Sequence, residues 1–312
     1  MSDALIMKLM EPLAEFYSDP NVVELRQMQP RKIIVEHRKS DLQQIDTPNI
    51  GFTEIRRICQ ALANYNGLKF SEDTNPNLSV SLPERHRFEC LIGPSTQNGL
   101  SMAVRCKHPY EVKFEDLGLR QMIIDYIGEA MHKRWNIAIS GSTNTGKTTF
   151  LNKLLGLLPD QERIVSCEDT PELEVERFWN GSALFASREA SQGAGLRTWE
   201  QLFNHKMRIS PDRIIFSEIS TENAFPALNA LNTGAKGWMC TIHADRAEMV
   251  VERFQNNIDM SGLNLTKPIS EYFDTLVDVI FHITRFDRGV RHVTDIYEVK
   301  NNRYILKDGK PQ

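Results

Sequence analysis

The octet Gly141-Ser142-Thr143-Asn144-Thr145-Gly146-Lys147-Thr148 limits what this chain can fold into more than any other feature. It satisfies GxxxxGK[ST] in full, and it sits between an apolar run, NIAIS, and a helical run from Lys147 through Thr149 to Leu158. A strand that ends in such a loop and passes at once into a helix belongs to a parallel sheet. The residue types have physical reasons. Backbone N–H groups must wrap around phosphates, so glycine stands where a Cβ would block the approach or where φ must be positive. The helix N-terminus adds unpaired N–H donors and the positive end of its dipole. Lys147 is placed to bridge β- and γ-phosphates, and the Thr148 hydroxyl to ligate Mg²⁺.

A phosphate cradle alone hydrolyses nothing. An acidic group must orient water or hold the metal, and open parallel sheets bind their ligands beyond the carboxyl ends of the strands. Glu218 ends the run RIIFSE, and Glu168 ends RIVSCE with Asp169 behind it; both glutamates are candidates to act on the metal through water. His243 follows WMCTI, again at a strand end. The competing reading is a solvated strand-end carboxylate and a structural histidine.

The pattern of the chain changes once. Residues 1–108 alternate short strands (RKIIVEH, LSVSLP, RFECLIGP, LSMAVRC) with a helix over TEIRRICQALANYNG, which predicts a small α+β domain. A charged, Pro-containing stretch at 109–120 reads as a linker, and 121–312 follow as βα units ending in a β-hairpin over TLVDVIFHITRF and VRHVTDIYEV. At 312 residues and 41% hydrophobic, the chain can bury a core in each domain. Lys+Arg and Asp+Glu balance in both parts, 14 against 15 for 1–115 and 23 against 26 for 116–312, so nucleic acid is not expected as the primary partner. Five scattered cysteines without a CxxC suit free thiols in a reducing compartment, with neither a zinc module nor a disulfide framework. No window approaches the ~18 apolar residues of a membrane span, and no signal peptide is evident. Leu5, Leu9, Pro12, Leu13 and Phe16 suit an amphipathic helix whose polar face is poor in Lys and Arg, which favours packing on the core over a membrane surface.

Four motifs in order, GSTNTGKTTFLNKLL, CEDTPEL, RISPDRIIFSEIS and NTGAKGWMCTIHAD, resemble the P-loop, acidic box, Walker B segment and histidine box of the secretion-superfamily ATPases. Within that superfamily the chain most resembles the hexameric traffic ATPases of type IV secretion and conjugation systems. The resemblance implies an α/β fold with a RecA-like P-loop NTPase domain at the C-terminal side and a smaller α+β domain before it. It further implies a homohexameric ring with ATP and Mg²⁺ at the domain and subunit junctions. Lys147 and Thr148 match the phosphate and magnesium positions, Glu218 the Walker B glutamate, Glu168 the acidic box, and His243 the histidine that senses the γ-phosphate. LSMAVRCKHP resembles the Arg-containing end of the family's N-terminal domain, which makes Arg105 a phosphate contact, and Arg208 lies in the Arg-containing segment before Walker B.

The function so implied is a cytoplasmic ATPase, peripheral at the cytoplasmic face of the bacterial inner membrane. Its hydrolysis powers substrate export or pilus assembly beside other ATPases and inner-membrane components. Two departures from the family pattern stand out: Ser217-Glu218-Ile219-Ser220 where Gly-Glu-Leu-Arg is usual, and Gly234-Ala235 where Gly-His is usual. The alternatives are a type II secretion or pilus-retraction motor of the same superfamily, and a ring scaffold that binds nucleotide with little hydrolysis. The missing tetracysteine module and the EDTPEL form of the acidic box favour the conjugation type.

Overall fold

A computed structural model describes residues 3–38, 42–82, 85–108, 112–186, 198–234, 236–263 and 265–312, with Arg288 described by its backbone only. Ala235 and residues 109–111 of the expected linker lie outside the described residues. The described residues fall into two compact units, divided near residue 110.

The first unit runs α1 (Asp3–Tyr17), β1 (Val22–Gln29), β2 (Lys32–His37), β3 (Gln43–Asp46), α2 (Phe52–Tyr65), β4 (Asn77–Ser81), β5 (Arg87–Ile92) and β6 (Leu100–Arg105). Its strands form one sheet in the order β3-β2-β1-β6-β5-β4, antiparallel throughout. Alternation builds its core: in β5 Phe88, Cys90 and Ile92 point inward, while Arg87, Glu89 and Leu91 are only half-buried. They meet Ile55, Ile58, Cys59 and Leu62 of α2 and Ile6, Met10, Leu13 and Tyr17 of α1. The apolar face of α1 is therefore core, one position round from the stripe read in the sequence, with Leu5 left 46% exposed.

The second unit contains α3 (Gln121–His132), β7 (Ile137–Gly141), α4 (Lys147–Leu155), β8 (Ile164–Glu168), β9 (Ser182–Phe185), α5 (Trp199–Arg208), β10 (Arg213–Ile219), α6 (Ala224–Leu231), β11 (Met239–His243), α7 (Val250–Met260), α8 (Ile269–Leu276), β12 (Val279–Arg285), β13 (Arg291–Glu298), β14 (Arg303–Lys307) and β15 (Lys310–Pro311). Its sheet has the order β15-β14-β13-β12-β7-β11-β10-β8-β9. Neighbours from β12 to β9 are parallel, and β13 to β15 extend the β12 edge antiparallel. A sheet covered on both faces needs strands that are apolar on both sides. Strand β7 shows this: Ile137 and Ile139 join α3 and α4 in one core, while Ala138 joins Cys240, Ile242 and the residues of α5 to α8 in the other.

One feature differs from the sequence reading. Val112, Phe114, Leu117 and Leu119 are buried in the α3–α4 core, so 112–119 are not free linker; interleaved charges hid their apolar positions. The C-terminal hairpin expected from the sequence is present, and its first strand β12 also pairs parallel with β7. Under α5, Lys206 is fully buried without a hydrogen-bond partner among the described residues, its Nζ 4.7 Å and 4.5 Å from the Phe203 and Phe216 ring centres. Burial pulls that ammonium down to about 8.

Candidate active site

Strand β7 stops at Gly141 because the chain must turn there in a way no other residue tolerates. Gly141 has φ 157°, and a Cβ on it would lie 2.5 Å from the Ile283 carbonyl and 2.6 Å from the Thr145 hydroxyl. Thr145 donates to the Ser142 carbonyl at 3.0 Å, closing the loop on itself, and Asn144 at the apex is left-handed with φ 57°. Gly146, φ 90°, is the N-cap of α4 and offers no side chain to the first-turn amides. Those amides are left for an anion, beside the half-buried hydroxyl of Thr148; Ser142, Thr143 and Thr149 lie exposed around them.

The neighbouring strands supply the chemistry by register. His243 of β11 pairs directly with Gly141 of β7, and Ile219 of β10 pairs with Ile242, which puts Glu218 next in line. Glu218 is exposed between buried Ser217 and Ile219. The turn behind it is fixed by Asn223, which donates to the Glu218 carbonyl at 2.8 Å and accepts from the Ser220 amide at 2.8 Å. Ser220, where the family has arginine, thus holds the turn by its backbone and brings no cation to Glu218.

Lys147 is buried, and its Nζ donates to the carbonyls of Gly141 (3.0 Å) and Ser142 (2.8 Å) and meets His243 Nδ1 at 3.2 Å. His243 Nε2 lies 2.8 Å from Glu218 Oε1. An ammonium only donates, so Nδ1 accepts and the imidazole proton sits on Nε2, directed at the carboxylate. His243 of β11 therefore joins the carboxylate of Glu218 on β10 to the amine of Lys147 at the first residue of α4. Asp245, two residues on, accepts from the Ser142 hydroxyl at 3.3 Å.

Two residues of the expected set lie elsewhere. Glu168 is fully buried, with the Ser166 hydroxyl on one oxygen at 2.6 Å and the amides of Glu172 and Leu173 on the other at 2.8 and 2.9 Å. Burial holds its carboxyl above the usual carboxylate range against those hydrogen bonds. These contacts tie it to the loop that follows β8, and the described contacts do not bring it to Lys147. Arg208 ends α5 ahead of the first residue of β10, whereas Glu218 lies at the far end of that strand, roughly 17 Å further along. Among the described residues no hydrogen bond or ion pair joins Arg208 to Lys147, His243 or Glu218. Arg105 ends β6 in the first unit, exposed and paired in register with Glu24 and Arg87.

Sequence reasoning missed Asn223 and Arg291. Both act on backbone across a turn or from a distant strand, and no spacing rule marks such residues.

Residues 55–281 match the family described as type II/IV secretion system protein. The chain belongs to that family. The Bartonella henselae type IV secretion system protein VirB11 is 27% identical over 94% of this chain and 93% of its own length. The Rhizobium radiobacter conjugal transfer protein TrbB is 31% identical over 75% and 72%. This secretion-family protein is an ATPase of the type IV secretion and conjugation kind. Among solved structures, the Legionella pneumophila ATPase DotB superposes with a TM-score of 0.63 at 13% identity, covering 96% of this chain and 82% of that one. The pilus retraction motor PilT superposes at 0.58 with 15% identity, covering 88% and 77%. At those identities the likeness is one of fold, which is α/β with a P-loop sheet.

Proposed function

We propose that residues 141–149 bind the phosphates of ATP, that Glu218 is the carboxylate that orients the attacking water, and that His243 reports to it whether the cradle is filled. The line Glu218–His243–Lys147 carries this reading. Lys147 now satisfies its ammonium with two loop carbonyls and a histidine nitrogen, acceptors that phosphate oxygens replace when nucleotide enters. Once Lys147 turns to phosphate, His243 Nδ1 loses its donor and the hold of His243 on Glu218 loosens. The carboxylate then turns to accept a proton from water.

Among the described residues no cluster of three or more His, Cys, Asp or Glu stands ready for a metal. That suits an ion such as Mg²⁺, which keeps waters and is held largely by substrate phosphates. Thr148 is the residue to bind it directly, with Glu218 through water. When bound, the ion would neutralise charge on the β- and γ-phosphate oxygens.

The wider assignment rests on the family and its relatives. We infer a homohexamer at the cytoplasmic face of the inner membrane, working with other components of a secretion apparatus to drive export or pilus assembly. Residues 1–108 and 121–312 would be its moving parts, and Arg105 would contribute to the phosphates. No helix among the described residues is long and apolar enough to cross a membrane, so attachment would run through partners.

Mg²⁺-dependent ATP hydrolysis by wild type and by Glu218→Gln tests the site. The expected result is a kcat lower by on the order of 10²-fold in the variant with ATP affinity retained. Equal rates in both proteins, with ATP bound, would replace the catalytic reading by that of a nucleotide-binding ring scaffold.

A further inference from the structure

Asn144 poses a question that its own loop does not answer. It is a non-glycine residue held at φ 57° at the apex of the cradle, a conformation that costs energy unless its surroundings enforce it. The enforcing group comes from about 150 residues further along the chain. Arg291, first residue of β13, donates from Nε to the Asn144 carbonyl and from Nη2 to Asn144 Oδ1, both at 3.3 Å. Its third donor, Nη1, reaches back to the Gly289 carbonyl at 3.0 Å and ties the guanidinium to its own hairpin. One planar fork thus takes the main-chain and side-chain oxygens of a single residue together, which an ammonium cannot do.

The aliphatic stem has a second contact. A Cβ at Gly146 would lie 3.0 Å from Arg291 Cδ, so the side chain spans the loop from Asn144 to the N-cap of α4. The strand carrying it is anchored as well. His292 packs on Phe286 with ring centres 5.5 Å apart and closes on Gly118, while Arg291 pairs in register with Arg285.

We propose that Arg291 is a positioning residue for ATP binding. It holds residues 144–146 in the cradle conformation before nucleotide arrives, so that little of the binding free energy goes into ordering the loop. This rests on the reading that residues 141–149 bind ATP.

The test uses the full chain as wild type, Arg291→Ala, Arg291→Lys and Lys147→Ala. ATP affinity comes from titration with a fluorescent ATP analogue, and KM and kcat from steady-state hydrolysis. Arg291→Ala is expected to raise Kd and KM together by about tenfold, the size of one charge-assisted contact, with kcat within twofold of wild type. Arg291→Lys should show most of the same loss, since it keeps the charge and lacks the fork. In nucleotide-free Arg291→Ala, amides 142–146 should exchange hydrogen faster while β7 and β11 keep their protection, a separation that general destabilisation does not give. Should Arg291→Ala fail to fold, Arg291→Lys decides alone. Affinity within twofold of wild type, or a fall in kcat with KM unchanged, overturns the proposal. Wild type and Lys147→Ala binding ATP equally would sink the site reading itself, and this proposal with it.

Discussion

Lys206 shows how one residue can carry an energetic cost of burial that its aromatic neighbours offset only in part. Its ammonium sits among Phe203, Phe216 and Cys167, and burial lowers it to about 8 from its usual value near 10.5. A base weakened by folding costs stability wherever the folded form must carry the charge. The cost is complete below about pH 8 and fades as pH rises toward 10.5, where the unfolded chain also loses its proton. Lys206→Met should therefore stabilise the protein at pH 7 by up to about 3 kcal/mol, and the gain should fall below about 1 kcal/mol by pH 10. Denaturant titrations at the two pH values check this, and an equal gain at both would show that the charge is not the cause. No periodicity marks Lys206 as buried. Glu168 is the mirror case: the sequence put a carboxylate at a strand end, where ligands bind, and side-chain direction turned it instead to the amides of Glu172 and Leu173. Strand ends are visible in sequence, whereas the face on which a terminal side chain emerges depends on the last peptide's twist.

At the scale of elements, strand, loop and helix act as one unit, and β7–loop–α4 was legible because its chemistry permits few residue types. What the sequence could not reveal is which strands flank β7. The cradle is framed by β11 and β12, and the Ile283 carbonyl of β12 sits where a side chain at Gly141 would have to go. Gly141→Ala should cost roughly 3 kcal/mol, from overpacking plus a strained positive φ, and abolish ATP binding. Gly234→Ala is the control. It shares a positive φ, 81°, with nothing within 4 Å of its added Cβ, so it should cost only about 1 kcal/mol. Calorimetry on both variants separates packing from backbone strain, and similar losses in the two would remove the argument from crowding. The hairpin β12–β13 was readable from its turn, but its parallel seam with β7 was not, since pairing across more than a hundred residues leaves no local trace.

For the whole molecule, the α/β class followed from the βα pattern after residue 120, while Val112 to Leu119, read as linker, pack as core. The ring assignment predicts that specific ATPase activity rises with protein concentration through the assembly range, and that Arg105→Ala lowers kcat at least tenfold at the plateau if Arg105 meets the phosphates. Activity independent of dilution, in a protein that sediments as a monomer, would argue against a site completed by assembly. The placement of β12 also sets a timetable for synthesis. The cradle strand finds one partner in residues 239–243 and the other in 279–285, with the clamp at Arg291 later still. A nascent chain emerging from the ribosome carries GSTNTGKT for roughly ninety residues before the first flank of β7 is covered and for roughly a hundred and thirty before the second. A chain cut short before residue 279 should therefore be blind to ATP while still possessing every residue of the motif.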